Sequence, residues 1–158
     1  MATLKSLTGA GWLKDADDNF TAINAELAYT TGYHVTPFVF DTAANDATSP
    51  TPVSNKTVAA HPLAVTIPDN AIVIGGHVDV ISAITSDGSA TVAISLASAN
   101  DLLTATAKAT LAAKYQSVMA TTTAPIKLEA AKAVTVTVGA AALTGGVING
   151  YIIWIEGA

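Results

Sequence analysis

Apolar and polar positions alternate with a period of two through much of the chain's latter half. In AIVIGGHVDVISAITSDGSATVAISL, residues 71–96, the side chains of Ile72, Ile74, Val78, Val80 and Ile84 share one parity. Gly75, His77 and Asp79 take the other, as in a strand with one buried face. The SDGS sequence at 86–89, with Gly88 free to adopt positive φ, predicts a chain reversal. The return strand sets Ala90, Val92, Ile94 and Leu96 inward and Thr91, Ala93 and Ser95 outward, so the two runs predict a β-hairpin. Near the C-terminus, KAVTVTVGAAALTGGVINGYIIWIEGA places Val134, Val136 and Val138 inward with Thr135 and Thr137 outward. After Gly145 and Gly146 a last strand runs to Glu156. Asn149-Gly150 is by itself a hairpin-turn signal, so a turn there competes with one continuous strand.

Before residue 71 the pattern differs. In WLKDADDNFTAINAELA, residues 12–28, Leu13, Ala16, Phe20, Ile23 and Leu27 follow at spacings of 3, 4, 3 and 4, one stripe of a short amphipathic helix. Such a helix packs either on its own domain or on another chain. HVTPFVFD reads as a strand, and TAANDATSPTPVSNKTVAAHPLAV, rich in Thr, Ser, Asn and Pro, as a surface loop. SANDLLTATAKATLAAKYQSVMATTTAP breaks the alternation; Asn100 or Asp101 would cap a short helix there, within a long excursion between strands. Strands divided by Gly, Pro and Asn turns predict a mainly β fold, an antiparallel β-sandwich of jelly-roll-like form with a short N-terminal helical arm. Residues 1–31 form the arm and 32–158 the sandwich domain.

Composition narrows the function classes. Of 158 residues 51% are apolar and only 12% charged, giving a mean hydropathy of +0.47. No apolar run reaches the ~20 residues of a spanning helix, so no membrane partner is expected. The hydropathy comes largely from 32 alanines, and 22 threonines suit strands with a polar, uncharged outer face. All seven cations are lysines and the net charge is −5, so no guanidinium is present to grip phosphate or guanine, and nucleic-acid binding is not expected. The N-terminus lacks the apolar run of a signal peptide, which implies synthesis in a cytoplasm. Without cysteine, robustness must come from packing or partner chains.

TIPDNAIVIGGHVDVISAITSDGSATVAISL resembles the opening hairpin of small bacteriophage virion structural proteins, with its Ile-Pro turn, strand and Ser-Gly turn. KAVTVTVGAAALTGG and the terminal IIWIEGA resemble their closing pair, and WLKDADDNFTAINAELA is similar to helices that begin phage fibre and capsid-attached proteins. The resemblance implies a capsid decoration (cement) or head-fibre protein located on the virion. It would bind the capsid surface as a homo-oligomer, often a trimer, with the major capsid protein or another virion protein as partner. The shaft repeats of many fibres are missing. The alternative is a host-recognition or carbohydrate-binding module of a tail or fibre, working through the loops at 41–56 and 100–123.

Candidate chemistry is sparse, and no enzymatic activity is expected. His77 and Asp79 share a strand face, with His34 or His61 as a conceivable third ligand, but nothing fixes that third position and no metal or cofactor is expected. Asp15, Asp17 and Asp18 lack the glycine and terminal glutamate of a calcium loop and fit an acidic first helical turn. Glu26, Glu129 and Glu156 fall in unrelated regions, and no nucleophile elbow or phosphate loop is present. Gly9, Gly11, Gly145 and Gly146 read as turn residues, and the sequon at Asn55 carries no weight without a signal peptide. Phe38, Phe40, Tyr151 and Trp154 are the large groups able to build a core or an interface. Tyr151 and Trp154 have opposite parity on a continuous strand, so one of them faces away from the core. The interface candidates are Leu13, Phe20, Ile23, Leu27, Tyr151 and Trp154.

Overall fold

The computed structural model describes residues 32–46, 52–118 and 125–157. Contacts divide the chain into two units, Met1–His34 and Val35–Ala158. The helix expected at 12–28 lies outside the described residues. The described residues form strands β1 (Tyr33–Asp41), β2 (Ala60–Ile67), β3 (Ala71–Thr85), β4 (Thr91–Ser95) and β5 (Leu103–Ala107). They continue with β6 (Gln116–Val118), β7 (Ile126–Lys127), β8 (Lys132–Gly139) and β9 (Gly145–Glu156).

Two antiparallel sheets result. One has the order β1-β9-β3-β6, with β7 also paired to β3, and the other the order β2-β8-β4-β5. Proline gives no ladder donor, which confines it to sheet margins. Pro37 and Pro62 lie accordingly in β1 and β2, the terminal strands of the two sheets. One apolar core draws on both sheets: Phe40, Val73, Val78, Ile148 and Ile152 from the first, and Ile67, Val92, Ile94, Val134 and Val136 from the second, all fully buried. Each such side chain contributes roughly 1.5–3 kcal/mol by leaving water.

Several expectations need correction. β3 and β4 do not form a hairpin, because β3 pairs with β9, β6 and β7 while β4 pairs with β8 and β5. Residues 86–90 form an arch from one sheet to the other. Ser86 Oγ donates to Ala142 O at 2.5 Å and accepts from Gly88 N at 3.1 Å, which ties this arch to the connection between β8 and β9. Gly88 serves that approach rather than a positive φ. A methyl there would lie 2.6 Å from Ala141 Cβ, and the positive-φ glycines among the described residues are Gly32 and Gly146.

The parity assigned to Ile72 and Ile74 is also corrected. Val73 pairs with Trp154 and Gly75 with Ile153, so Ile74 is the extra residue of a β-bulge. The bulge flips the face: Ala71 and Val73 point inward before it, Val78 and Val80 after it, and Ile74 is 37% exposed. Among the described residues no helix follows Asn100. Asp101 instead accepts the N–H groups of Leu96, Ala97 and Ser98 at 2.7, 2.8 and 2.7 Å, closing a turn that leads into β5. The loop expected before residue 69 contains strand β2, paired to β8. At Asn149-Gly150 the continuous strand wins, as β9 runs unbroken through both residues.

Candidate assembly surface

The outer face of the five-stranded sheet follows from the β3–β9 register. Ile72 stands opposite Ile155, Gly75 opposite Ile153, His77 opposite Tyr151, and Asp79 opposite Asn149. All of these point away from the core, because Val73, Val78, Val80, Ile148, Ile152 and Trp154 occupy the inward positions. Directly opposed side chains form the contact units of such a face. His77 and Tyr151 stack, with ring centroids 5.7 Å apart and planes inclined by 19°. Ile74 and Ile81 stand out beside them at β3 irregularities, Ile81 being 52% exposed. The result is a strip of isoleucines and one aromatic pair, with Asp79 and His77 near one end.

The four-stranded sheet presents a different outer face. Thr137 opposes Ala93, Thr135 opposes Ser95, and Thr91 opposes Gly139, where an added methyl would lie 2.7 Å from Thr91 Oγ1. Pro62 and Ala60 of β2 continue the rungs of Thr135 and Thr137. These small neutral side chains offer hydroxyls and little apolar area.

A third feature lies where the sheets end side by side. A groove of about 480 Å³ separates β1 from β2, lined mainly by Pro37, Phe38, Val39, Leu63, Ala64 and Val65. Asn55 also lines it; its Nδ2 donates to Asp41 O at 2.9 Å, while its buried Oδ1 has no partner. Val39 and Val53, exposed by 56% and 39%, stand in the segments flanking it.

No protein-family model matches the chain, and no curated protein matches it in sequence. Solved structures do match in fold. The fold is shared with chains of three phage capsids. A chain of the acidic stable capsid structure of Helicobacter pylori bacteriophage KHP30 superposes with a TM-score of 0.54 at 12% identity, over 80% of this chain and 89% of that one. A chain of the capsid of Ralstonia phage GP4 gives 0.52 at 20% identity, over 78% and 85%. One from the Cyanophage Pam1 capsid asymmetric unit gives 0.51 at 15% identity, over 78% and 84%.

Of the residues singled out from sequence, Leu13, Phe20, Ile23 and Leu27 lie outside the described residues. Tyr151 and Trp154 fall on opposite faces of β9. Trp154 is 8% exposed and its Nε1 donates to Thr36 Oγ1 at 2.9 Å, whereas Tyr151 is on the outer face. Phe38 and Phe40 are core residues. The conceivable metal ligands do not converge: His61 is fully buried with Nε2 on Thr57 O at 2.9 Å, while His77 and Asp79 lie on the outer face of the other sheet. No group of three or more ligating side chains exists among the described residues. Sequence reasoning missed Ile74, Ile81 and Val39 as surface residues. An isoleucine carries no signal that it is a bulge's extra residue.

Proposed function

We propose that the chain is a structural protein of a bacteriophage virion, a decoration (cement) or head-fibre protein that binds the capsid surface as a homo-oligomer. The observation that carries this reading is the fold shared over about four-fifths of the chain with the phage capsid chains. The oligomer implied by the sequence resemblance is a trimer, with the major capsid protein as the further partner. The strand order supports a jelly roll: β1 lies beside β9 in one sheet and β2 beside β8 in the other, as nested Greek keys produce. Residues 1–31 would act as an arm attached to this sandwich.

The mechanism is binding by shape. Ile72, Ile74, Tyr151, Ile153 and Ile155 supply apolar area for a repeated contact, and the threonine face supplies neutral hydrogen-bonding groups. A weak contact repeated over a shell gains through multiplicity. Mixing the purified chain with capsids that lack it, followed by co-sedimentation and electron cryo-microscopy, tests the reading. Regular decoration of preformed capsids is expected, without shell formation by the chain alone. Closed shells formed from this chain alone would make it the shell subunit instead.

A second reading, host recognition through a glycan, is favoured by one feature. The exposed Tyr151 ring stands next to the Asp79–Asn149 rung, so an aromatic surface, a carboxylate and an amide sit close together, as sugar binding requires. Binding to host glycans with none to bare capsids would select it.

A further inference from the structure

We propose that two copies of this chain pack face to face through the outer strip of the five-stranded sheet, their β3 strands antiparallel, with Ile74 of each seated over Gly75 of the other. The inference rests on the reading of that strip as a repeated contact, and it names the partner. It is a pairwise contact, separate from the threefold association.

The strip holds a knob and a notch side by side. Ile74, the extra residue of the β3 bulge, is 37% exposed. Gly75 follows it opposite Ile153, and a methyl added there meets no atom within 4 Å, so open space lies over the backbone. A two-fold axis lying between the copies and crossing β3 between Ile74 and Gly75 carries each knob onto the other copy's notch. This self-complementarity is what an isologous contact requires. The same axis sets Ile153 beside its counterpart and lays the rung of Ile72 and Ile155 over the other copy's rung of His77 and Tyr151. Apolar side chains then meet apolar or aromatic ones along the whole overlap.

Charge selects the antiparallel alignment. Asp79 opposes Asn149 toward one end of the strip, and Lys127 opposes Ile72 at the other, so the two ends carry opposite signs. Parallel strands would set Asp79 against the other copy's Asp79, a repulsive contact. Antiparallel strands place it just past the start of the other copy's β3, at the rim where that copy's Lys127 stands. Such a solvated pair orients the copies and adds little affinity. The overlap runs from Ala71 to Val78, about 26 Å at the strand rise, and the sheet is four strands or about 19 Å wide. The pair thus buries roughly 1,000 Å² in total, the lower limit for a specific interface. A contact of that size is weak alone and gains from repetition.

Native side chains supply the test. Within one copy Lys127 and Asp79 stand at β3 positions seven residues apart, about 23 Å at the strand rise, too far for a direct link. Full-length chains, half of them isotope-labelled, are treated with a water-soluble carbodiimide, which condenses a neighbouring carboxylate and amine into an amide. Mass spectrometry is expected to find Asp79 joined to Lys127 of the other copy. Gly75→Trp fills the notch from outside and should weaken self-association in sedimentation velocity, and the yield of that link, by about tenfold or more, with the melting curve unchanged. Ile74→Ala removes the knob, which each pair uses twice, and should weaken self-association by about tenfold. Self-association without that link, or a Gly75→Trp chain that associates as the parent does, would overturn the proposal. If the chain decorates capsids but stays monomeric at every concentration reached, this inference falls and the virion reading stands. Pairing by a chain that decorates no capsid would uphold this contact and overturn the virion reading.

Discussion

Gly150 gives the sharpest single test of how the sandwich is built. The Asn149-Gly150 pair looks like a turn, yet Gly150 sits within β9 opposite Val78, facing the core. A methyl on its Cα would lie 2.4 Å from Phe38 Cζ and 2.6 Å from both Phe38 Cε1 and His77 O. The ring end can swing, but the carbonyl belongs to the β3 ladder and cannot yield without breaking register. Gly150→Ala is therefore an overpacking change, expected to cost about 2–3 kcal/mol. In a chain of this size that lowers Tm by about 5–10 °C in a calorimetric or circular-dichroism melt. Phe38→Leu removes the ring atoms, so the double variant should be less destabilised than the sum of the two single ones by about 1 kcal/mol or more. Gly75→Ala is the matched control, since nothing lies within 4 Å of its added methyl, and its Tm should hold or rise. A Gly150→Ala melt within about 1 °C of the parent, or strict additivity with Phe38→Leu, would mean that Phe38 does not pack over β9 as described.

Other expected outcomes follow from the same geometry. Asp101→Ala removes the acceptor of three backbone N–H groups in the turn before β5 and should cost about 2–4 kcal/mol in urea unfolding, with faster hydrogen exchange at Leu96, Ala97 and Ser98. Ala140→Gly relieves a non-glycine residue at φ 64° and should raise stability by up to about 1 kcal/mol, read as a higher denaturant midpoint. Ile153→Lys on the outer face should leave Tm nearly unchanged while weakening self-association in sedimentation velocity by about tenfold or more, the loss of one buried isoleucine. Because that face is nearly neutral, raising NaCl from about 50 to 500 mM should change the association constant by less than about threefold. A steep salt dependence would assign assembly to charged groups elsewhere.

The strands with strict alternation were legible in the sequence. Val134, Val136 and Val138 face inward as their period requires, and so do Val92 and Ile94. Tyr151 and Trp154 divide between two faces as a continuous strand demands, although parity alone does not say which one is buried. Where alternation failed, the cause is specific. Ile72, Val73 and Ile74 are all apolar, so local pattern has no means of choosing a face, and the choice is made by a bulge against Trp154 and Ile153. The two runs around Gly88 satisfy a hairpin and an inter-sheet arch equally well; the long-range partners β8 and β9 decide between them. The segment before residue 69 reads as loop because it is rich in Thr, Ser, Asn and Pro, and pairing with β8 at the sheet margin overrides that composition in β2. The apolar outer strip and the groove are products of register and sheet ends, so no contiguous stretch of sequence displays either.

Electron cryo-microscopy of capsids bearing this protein bears most directly on the account. It should show the outer strip of Ile74, Tyr151 and Ile153 buried against another subunit or the shell, with few charged groups at the contact. Particles in which that strip faces open solvent while a charged surface makes the attachment would contradict it.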